Sequence, residues 1–335
     1  MHWTDNSINR IVTSMNELRQ KCSAKCTELT QSAKIQNIEL SRQITQSNVT
    51  GTFAAVDSGF STKQFLSLDV VLVRSVAAIF TYNDAKLVAS TYFPNRVPGI
   101  SLHCGSFSDQ TESTYFKSLS RLTAEITCAI QTVKIHSPQM LMLDGSILPL
   151  PSDQPQSTST LFPMYQELVD NYRELFELCG SQNCQLVGIV KDSRSQRLCN
   201  LLEQRLKMPI PNGTDEFLCD LLLTAGQRSI TFAHSDQPNG FSKNINCFYI
   251  KTGNGLPFRV EFIANNSASV GGLEQEADAI AGQLMPISNT FSYPAILIET
   301  DMRACLTPNE INHVFNSIEN RSKEFVLRSN SRPFR

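Results

Sequence analysis

Two short apolar runs each end in an aspartate: Phe53-Ala54-Ala55-Val56-Asp57-Ser58-Gly59 and Leu141-Met142-Leu143-Asp144-Gly145-Ser146. Each reads as a buried strand carrying a carboxylate to its C-terminal end, with a turn of small residues after it. Two such strands side by side bring two negative charges together, which is costly unless a cation lies between them. A divalent metal site is therefore the first chemical reading. The competing reading is turn chemistry, because Asp-Gly and Asp-Ser pairs make turns and an aspartate after a strand often caps the next element.

Two-metal phosphoryl chemistry needs several acids converging on cations about 3.5 to 4 Å apart, and strand ends hold such acids rigidly. Glu125 is a third acid. At about 100° per residue it lies about 40° outside the apolar arc of Leu119, Leu122, Ile126 and Ala129, bordering a buried helix face. The alternative for Glu125 is a boundary position paired with Arg121 one turn earlier. Asp301 is a fourth acid, inside a largely apolar helix beside Arg303. Lys191 directly follows a strand, where a cation can hold a phosphate, or else pair with Asp192 at the surface. Arg259 and Glu261 alternate on one strand and share a face, so they pair with each other, bind DNA or orient a ligand. Asp215 reads as a helix cap. The tail carries Arg321, Lys323, Arg328, Arg332 and Arg335 against Glu324, a phosphate contact, a partner surface or a solvated end.

The elements that must position these groups follow from periodicity. Residues 5 to about 47 carry Ile8, Ile11, Val12, Met15 and Leu18 at helical spacing, an N-terminal arm of one or two amphipathic helices. Segments 52–57, 66–82 and 86–93 read as a three-stranded antiparallel meander with a turn at Asn83-Asp84. A helix from Tyr115 leads into the strand 139–144, then a loop, a helix over 162–178 and a strand over 185–190. Helical patterns follow at 198–206 and after Thr214. Strands are expected at 246–251 and 258–264, and a helix at 272–284. Pro294 starts a helix running to about Cys305, and Thr307-Pro308-Asn309-Glu310 is a capping box for the last one. The expected division is an arm over 1–48, one domain over 49–317 and a basic tail over 318–335.

With 41% hydrophobic and 18% charged residues, the 335-residue chain has the composition of a soluble globular protein with a sizeable core. A net charge of −2 offers no global field for nucleic acid, so a polyanion must be held by local cations or metal ions. The polar start and the lack of any apolar stretch of membrane-span length predict a cytoplasmic protein with no membrane partner. The ten cysteines lie mostly inside apolar runs, and no Cys-x-x-Cys pair supports structural zinc.

Three strands, a helix bearing a glutamate, a strand ending in aspartate and a later acidic helix resemble the ribonuclease H-like fold. The expected architecture is α/β: a mixed sheet flanked by helices, with an N-terminal helical arm and extra C-terminal strands and helices. More narrowly, the chain resembles the NurA nuclease family. The likeness is carried by Ala55-Val56-Asp57-Ser58-Gly59, Arg121-x-x-x-Glu125, Leu143-Asp144-Gly145-Ser146-Ile147, Val190-Lys191-Asp192-Ser193, Thr214-Asp215-x-x-Leu218, Phe258-Arg259-Val260-Glu261, and Tyr293-Pro294 followed by Asp301. It runs from about residue 50 to about 315.

The resemblance implies a manganese-dependent DNA nuclease, with magnesium as the alternative ion, having 5′ to 3′ exonuclease and single-strand endonuclease activity. It further implies a homodimer working with a HerA-type hexameric ATPase on double-strand breaks. Carried over, Asp57, Glu125 and Asp144 are metal ligands, and Asp301 stands where many relatives have a histidine, a change manganese tolerates. Asp57-Ser58-Gly59 inverts the family's usual Asp-Gly-Ser, which implies an altered turn. Two rivals stand beside this reading. One is an actin-like or sugar-kinase-like ATPase, with Asp57-Ser58-Gly59-Phe60-Ser61-Thr62-Lys63 as a phosphate loop and Gly271-Gly272 as the adenosine turn. The other is a DNA-binding subunit whose nuclease site has decayed.

Overall fold

A computed structural model of the protein describes residues 2–107, 109–210, 213–235, 244–264, 270–288 and 291–322. The chain opens with α1 (His2–Ile35), β1 (Ser41–Gln43), β2 (Gly51–Gln64), β3 (Asp69–Asn83), β4 (Lys86–Phe93), β5 (Ser101–Gly105) and α2 (Gln110–His136). It continues through β6 (Met140–Asp144), α3 (Phe162–Ser181), β7 (Gln185–Val190), α4 (Arg197–Leu206), α5 (Asp215–Leu222), β8 (Gln227–Ser229) and β9 (Phe232–Ala233). Last come β10 (Ile245–Lys251), β11 (Phe258–Ile263), α6 (Val270–Ile287), α7 (Ala295–Ala304) and α8 (Pro308–Ser322). Two compact units result: residues up to Ser47 with Val190–Ser292, and Asn48–Ile189 with the segment from Tyr293. The stretch read as one domain over 49–317 thus contains breaks near 190 and 292, and residues 1–47 group with 190–292. Lys323 to Arg335, most of the basic tail, lie outside the described residues.

The unit holding Asp57 is built on the strand order β7-β6-β2-β3-β4, with β5 on β3. β2 and β3 pair antiparallel along their whole length, Gly51 opposite Tyr82 and Gln64 opposite Asp69. β6 and β7 join in parallel, with Val56 opposite Leu143 and Asp144 opposite Ile189. These are the meander expected from periodicity and the mixed sheet that the resemblance implies. β2 does not end at Asp57, however. Ser58 to Gln64 continue the strand against Val70–Ser75 and Asp69, and Phe60 and Thr62 suit a strand. The small residues at 58 and 59 mimic a turn signal but meet packing needs.

α2 and α7 both pack on β2 and β3. α2 begins five residues before the expected start, because the Asp109 carboxylate caps it by accepting from Thr111 N–H at 3.0 Å. α3 packs on α2. The expected capping box at α8 is present: Glu310 N–H donates to Thr307 Oγ1 at 3.3 Å, and Thr307 N–H donates to Glu310 Oε2 at 2.9 Å.

In the other unit β10 is central, flanked by β11 and β8, with β1 beyond β8 and β9 on β10. α1, α4 and α5 bury Cys26, Leu29, Leu198, Leu202 and Leu218 against a core that includes Cys247 and Tyr249. Arg228, fully buried, binds Glu274 at 2.7 Å and Asp278 at 2.6 Å, fastening α6 to β8. The helical part of the arm is one 34-residue helix, and β1 follows it within the arm. Its C-terminal half buries Cys22, Cys26, Leu29 and Ala33, whereas Ile8, Ile11, Val12, Met15 and Leu18 are 48–65% exposed. All ten cysteines are free, and eight are buried. No helix among the described residues is long and apolar enough to cross a membrane.

Candidate active site

The register that pairs Val56 with Leu143 places Asp57 of β2 beside Asp144, the last residue of β6. Gly145 follows at φ +142°, a conformation that favours glycine, so the chain turns away immediately and leaves the Asp144 carboxylate at the strand end. α7 contributes Asp301. One carboxylate oxygen from each of Asp57, Asp144 and Asp301 lies within 4.8 Å of the others, and no other group of three potential metal-ligating side chains is that close among the described residues. Asp57 is buried, Asp144 half-buried and Asp301 exposed, so the cluster runs from the sheet interior to its surface.

Glu125 stands on the opposite face of β2. Successive strand residues point to opposite faces, so Asp57 shares its face with α7 while Ser58 meets α2. There the Ser58 hydroxyl donates to Glu125 Oε2, and Arg121 Nη1 donates to the same oxygen at 2.9 Å. The pairing with Arg121 is present and Glu125 is only 4% exposed, while the group of three converging acids does not include it. Burial pushes its carboxyl up, Arg121 and Ser58 pull it down, and Asp144 raises it. Asp57 is pushed up to about 7, first by burial, then by the charges of Glu125 and Asp144, and less by Asp301. The Ser58 N–H opposes this by donating to Asp57 Oδ1 at 2.7 Å.

Tyr293 donates its hydroxyl to Asp144 Oδ1 at 2.9 Å. Burial and the neighbouring carboxylate raise the phenol well above its ordinary value, which keeps it a donor. Two further contacts seat α7. A side chain at Gly59 would meet the Ala304 carbonyl oxygen at 2.2 Å, so glycine lets the C-terminal end of α7 lie directly on β2. Arg74, opposite Gly59 on β3, donates to Cys305 O at 3.0 Å and Pro98 O at 2.8 Å and pairs with Glu310. Tyr293 was visible only as part of a Tyr-Pro motif, and Arg74 only as a lone charge in an apolar run, a pattern that signals a satisfied buried cation.

The other two residues singled out from sequence belong to the other unit. Lys191 follows β7. Arg259 pairs with Glu261 at 2.6 Å and donates to Ser193 Oγ at 3.2 Å; its side chain is 11% exposed. Of the three readings of Arg259, pairing with Glu261 is the one its contacts display. Asp215 accepts from Cys199 N–H at 2.9 Å near the start of α4, while Thr214 is the cap of its own helix. The phosphate-loop reading of residues 57–63 fails because they form a continuous strand, and Gly271-Gly272 lie inside α6 instead of a turn.

The NurA domain model matches residues 51–304. No curated protein matches the chain. Among solved structures, the chain is similar to the NurA nuclease from Sulfolobus solfataricus, at 16% identity over 94% of each chain with a TM-score of 0.63. It is similar to a NurA with manganese, at 10% identity and a TM-score of 0.55 over 94% of this chain and 98% of that one. A NurA bound to dAMP and manganese aligns at 11% identity and a TM-score of 0.51 over 94% and 97%. At such identities the likeness is one of fold.

Proposed function

The chain belongs to the NurA family, and from that premise we propose that it is a manganese-dependent DNA nuclease. The observation that carries this reading is the convergence of Asp57, Asp144 and Asp301, from three separate elements, to within 4.8 Å. An all-oxygen donor set suits Mn2+ or Mg2+, and Asp57, raised first by burial and then by the neighbouring carboxylates, is a group that a cation would compensate. Manganese in the related structures supports the same choice of ion.

Asp57, Asp144 and Asp301 hold the metal, with Glu125 contributing from across β2 to a two-ion site. When bound, such ions activate a water and stabilise the leaving oxygen of the phosphodiester. Tyr293 orients the Asp144 carboxylate by donating to its Oδ1. Lys191 and Arg259, in the other unit, serve as DNA-phosphate contacts, Arg259 being tied to Glu261. The family resemblance supports 5′ to 3′ exonuclease and single-strand endonuclease action in double-strand break processing with a HerA-type hexameric ATPase.

End-labelled linear DNA incubated with Mn2+, Mg2+ or EDTA tests the core of this reading. Cleavage should require the metal, and Asp144→Ala should lose about 10²- to 10⁴-fold in rate, the equivalent of several kcal/mol of metal catalysis. Cleavage in EDTA, or an Asp144→Ala variant as fast as the parent, would sink it.

A homodimer completes the proposal. The exposed side chains Ile8, Ile11, Met15 and Leu18 of α1 recur at spacings of three and four, the narrow seam of a two-helix coiled coil. Ile11→Glu with Met15→Glu should convert the dimer to a monomer in light scattering while leaving the melting temperature of the folded unit nearly unchanged. A parent protein already monomeric at micromolar concentration would refute the assignment.

A further inference from the structure

Glu125 is held on one oxygen only. Arg121 Nη1 donates to Oε2 at 2.9 Å and the Ser58 hydroxyl donates to that same atom, while no donor reaches Oε1 among the described residues. The two grips are not equivalent. Arg121 sits one turn earlier on the same helix, and its own link to the sheet runs through the Ser58 hydroxyl, 3.4 Å from Nη1. Ser58 belongs to β2, is 7% exposed and neighbours Asp57, to which its own N–H donates at 2.7 Å. A single residue thus touches a carboxylate on each face of the strand.

The geometry points to Ser58 as a positioning residue that, with Arg121, ties down Oε2 of Glu125 and reserves Oε1 for the cation or its bound water. The inference rests on the nuclease reading, in which Glu125 belongs to the metal set. A hydroxyl serves here because it donates to a buried carboxylate without adding a charge, and because Arg121 Nη1 lies 3.4 Å from Ser58 Oγ and completes the triangle. Without the hydroxyl, the helix carboxylate keeps its counter-ion but loses its register to Asp57.

Ser58→Ala, with Ser58→Thr as the rescue, tests this. Mn2+ binding is measured without DNA by the electron paramagnetic resonance of free ion, and kcat and KM are measured separately on a single-stranded oligonucleotide. Loss of a group that orients a ligand typically costs 10- to 100-fold in metal affinity or activity. The expected result is a loss of about that size in Mn2+ affinity and kcat for Ser58→Ala, with KM for DNA unchanged and most of the loss recovered by Ser58→Thr. If the parent binds Mn2+ and cleaves while Ser58→Ala matches it in both, the positioning role falls and the nuclease reading survives. If the parent itself binds no Mn2+, both fall. A lowered melting temperature with parental metal affinity would mark Ser58 as structural and overturn the inference.

Discussion

Asp57→Asn should abolish cleavage and yet raise the melting temperature of the metal-free protein at neutral and alkaline pH. The carboxyl is 8% exposed and pushed up from 3.8 to about 7 by burial and by the Glu125 and Asp144 charges. A carboxyl whose folded pKa exceeds its unfolded value favours folding in its protonated form. That contribution is fully present below about 3.8 and is lost as pH rises through about 7. The metal-free parent should therefore lose on the order of 2–4 kcal/mol between pH 4 and pH 8 from this group. Asparagine carries no charge and escapes the loss, so the two melting curves should coincide near pH 4 and separate above pH 6. Adding Mn2+ reverses the order, because ligand binding stabilises the parent and not the variant. A variant that melts below the parent in EDTA at pH 8 would mean that Asp57 acts as a turn or cap residue.

Gly59→Ala should be among the most disruptive single-methyl changes in the unit. The added carbon would meet the Ala304 carbonyl oxygen at 2.2 Å, and backbone cannot swing aside as a flexible side chain can. Overpacking of this kind costs about 1–3 kcal/mol. The strain falls on the contact that seats α7, so Asp301 should be lifted from Asp57 and Asp144, which the sheet holds in place. A thermal melt and an Mn2+ titration read the two effects separately. Parental values in both would show that α7 does not depend on this approach.

The strand-borne part of the site was legible in the sequence because its cause is local. An apolar run ending in Asp-Gly gives the end of β6 and its carboxylate at once, and alternation gives the meander. The length of β2 was not legible, because Asp57-Ser58-Gly59 carries a turn composition for tertiary reasons: Ser58 answers Glu125 on α2, and Gly59 answers Ala304 on α7. Both partners are distant in sequence. The same applies to Tyr293 on Asp144 and to Arg74, whose acceptors Pro98, Cys305 and Glu310 exist only once the fold brings them together. Strands of two or three residues such as β1, β8 and β9 are too short to show a period. The two-unit division was hidden because it joins segments far apart along the chain, residues up to 47 with 190–292.

The halves of α1 differ in what holds them. From Cys22 to Ala33 the apolar face is sealed in the core, and opening those turns requires opening α4 and α5 with them. From Ile8 to Leu18 the same face meets solvent, and a helix on its own is marginal at such lengths. Local unfolding therefore has two free-energy scales along one continuous helix: a small one for the exposed half, and a large one set by the unit's own stability. Sequence change is correspondingly separable. The first half is free of the core's packing constraint, whereas the second is held by the fold.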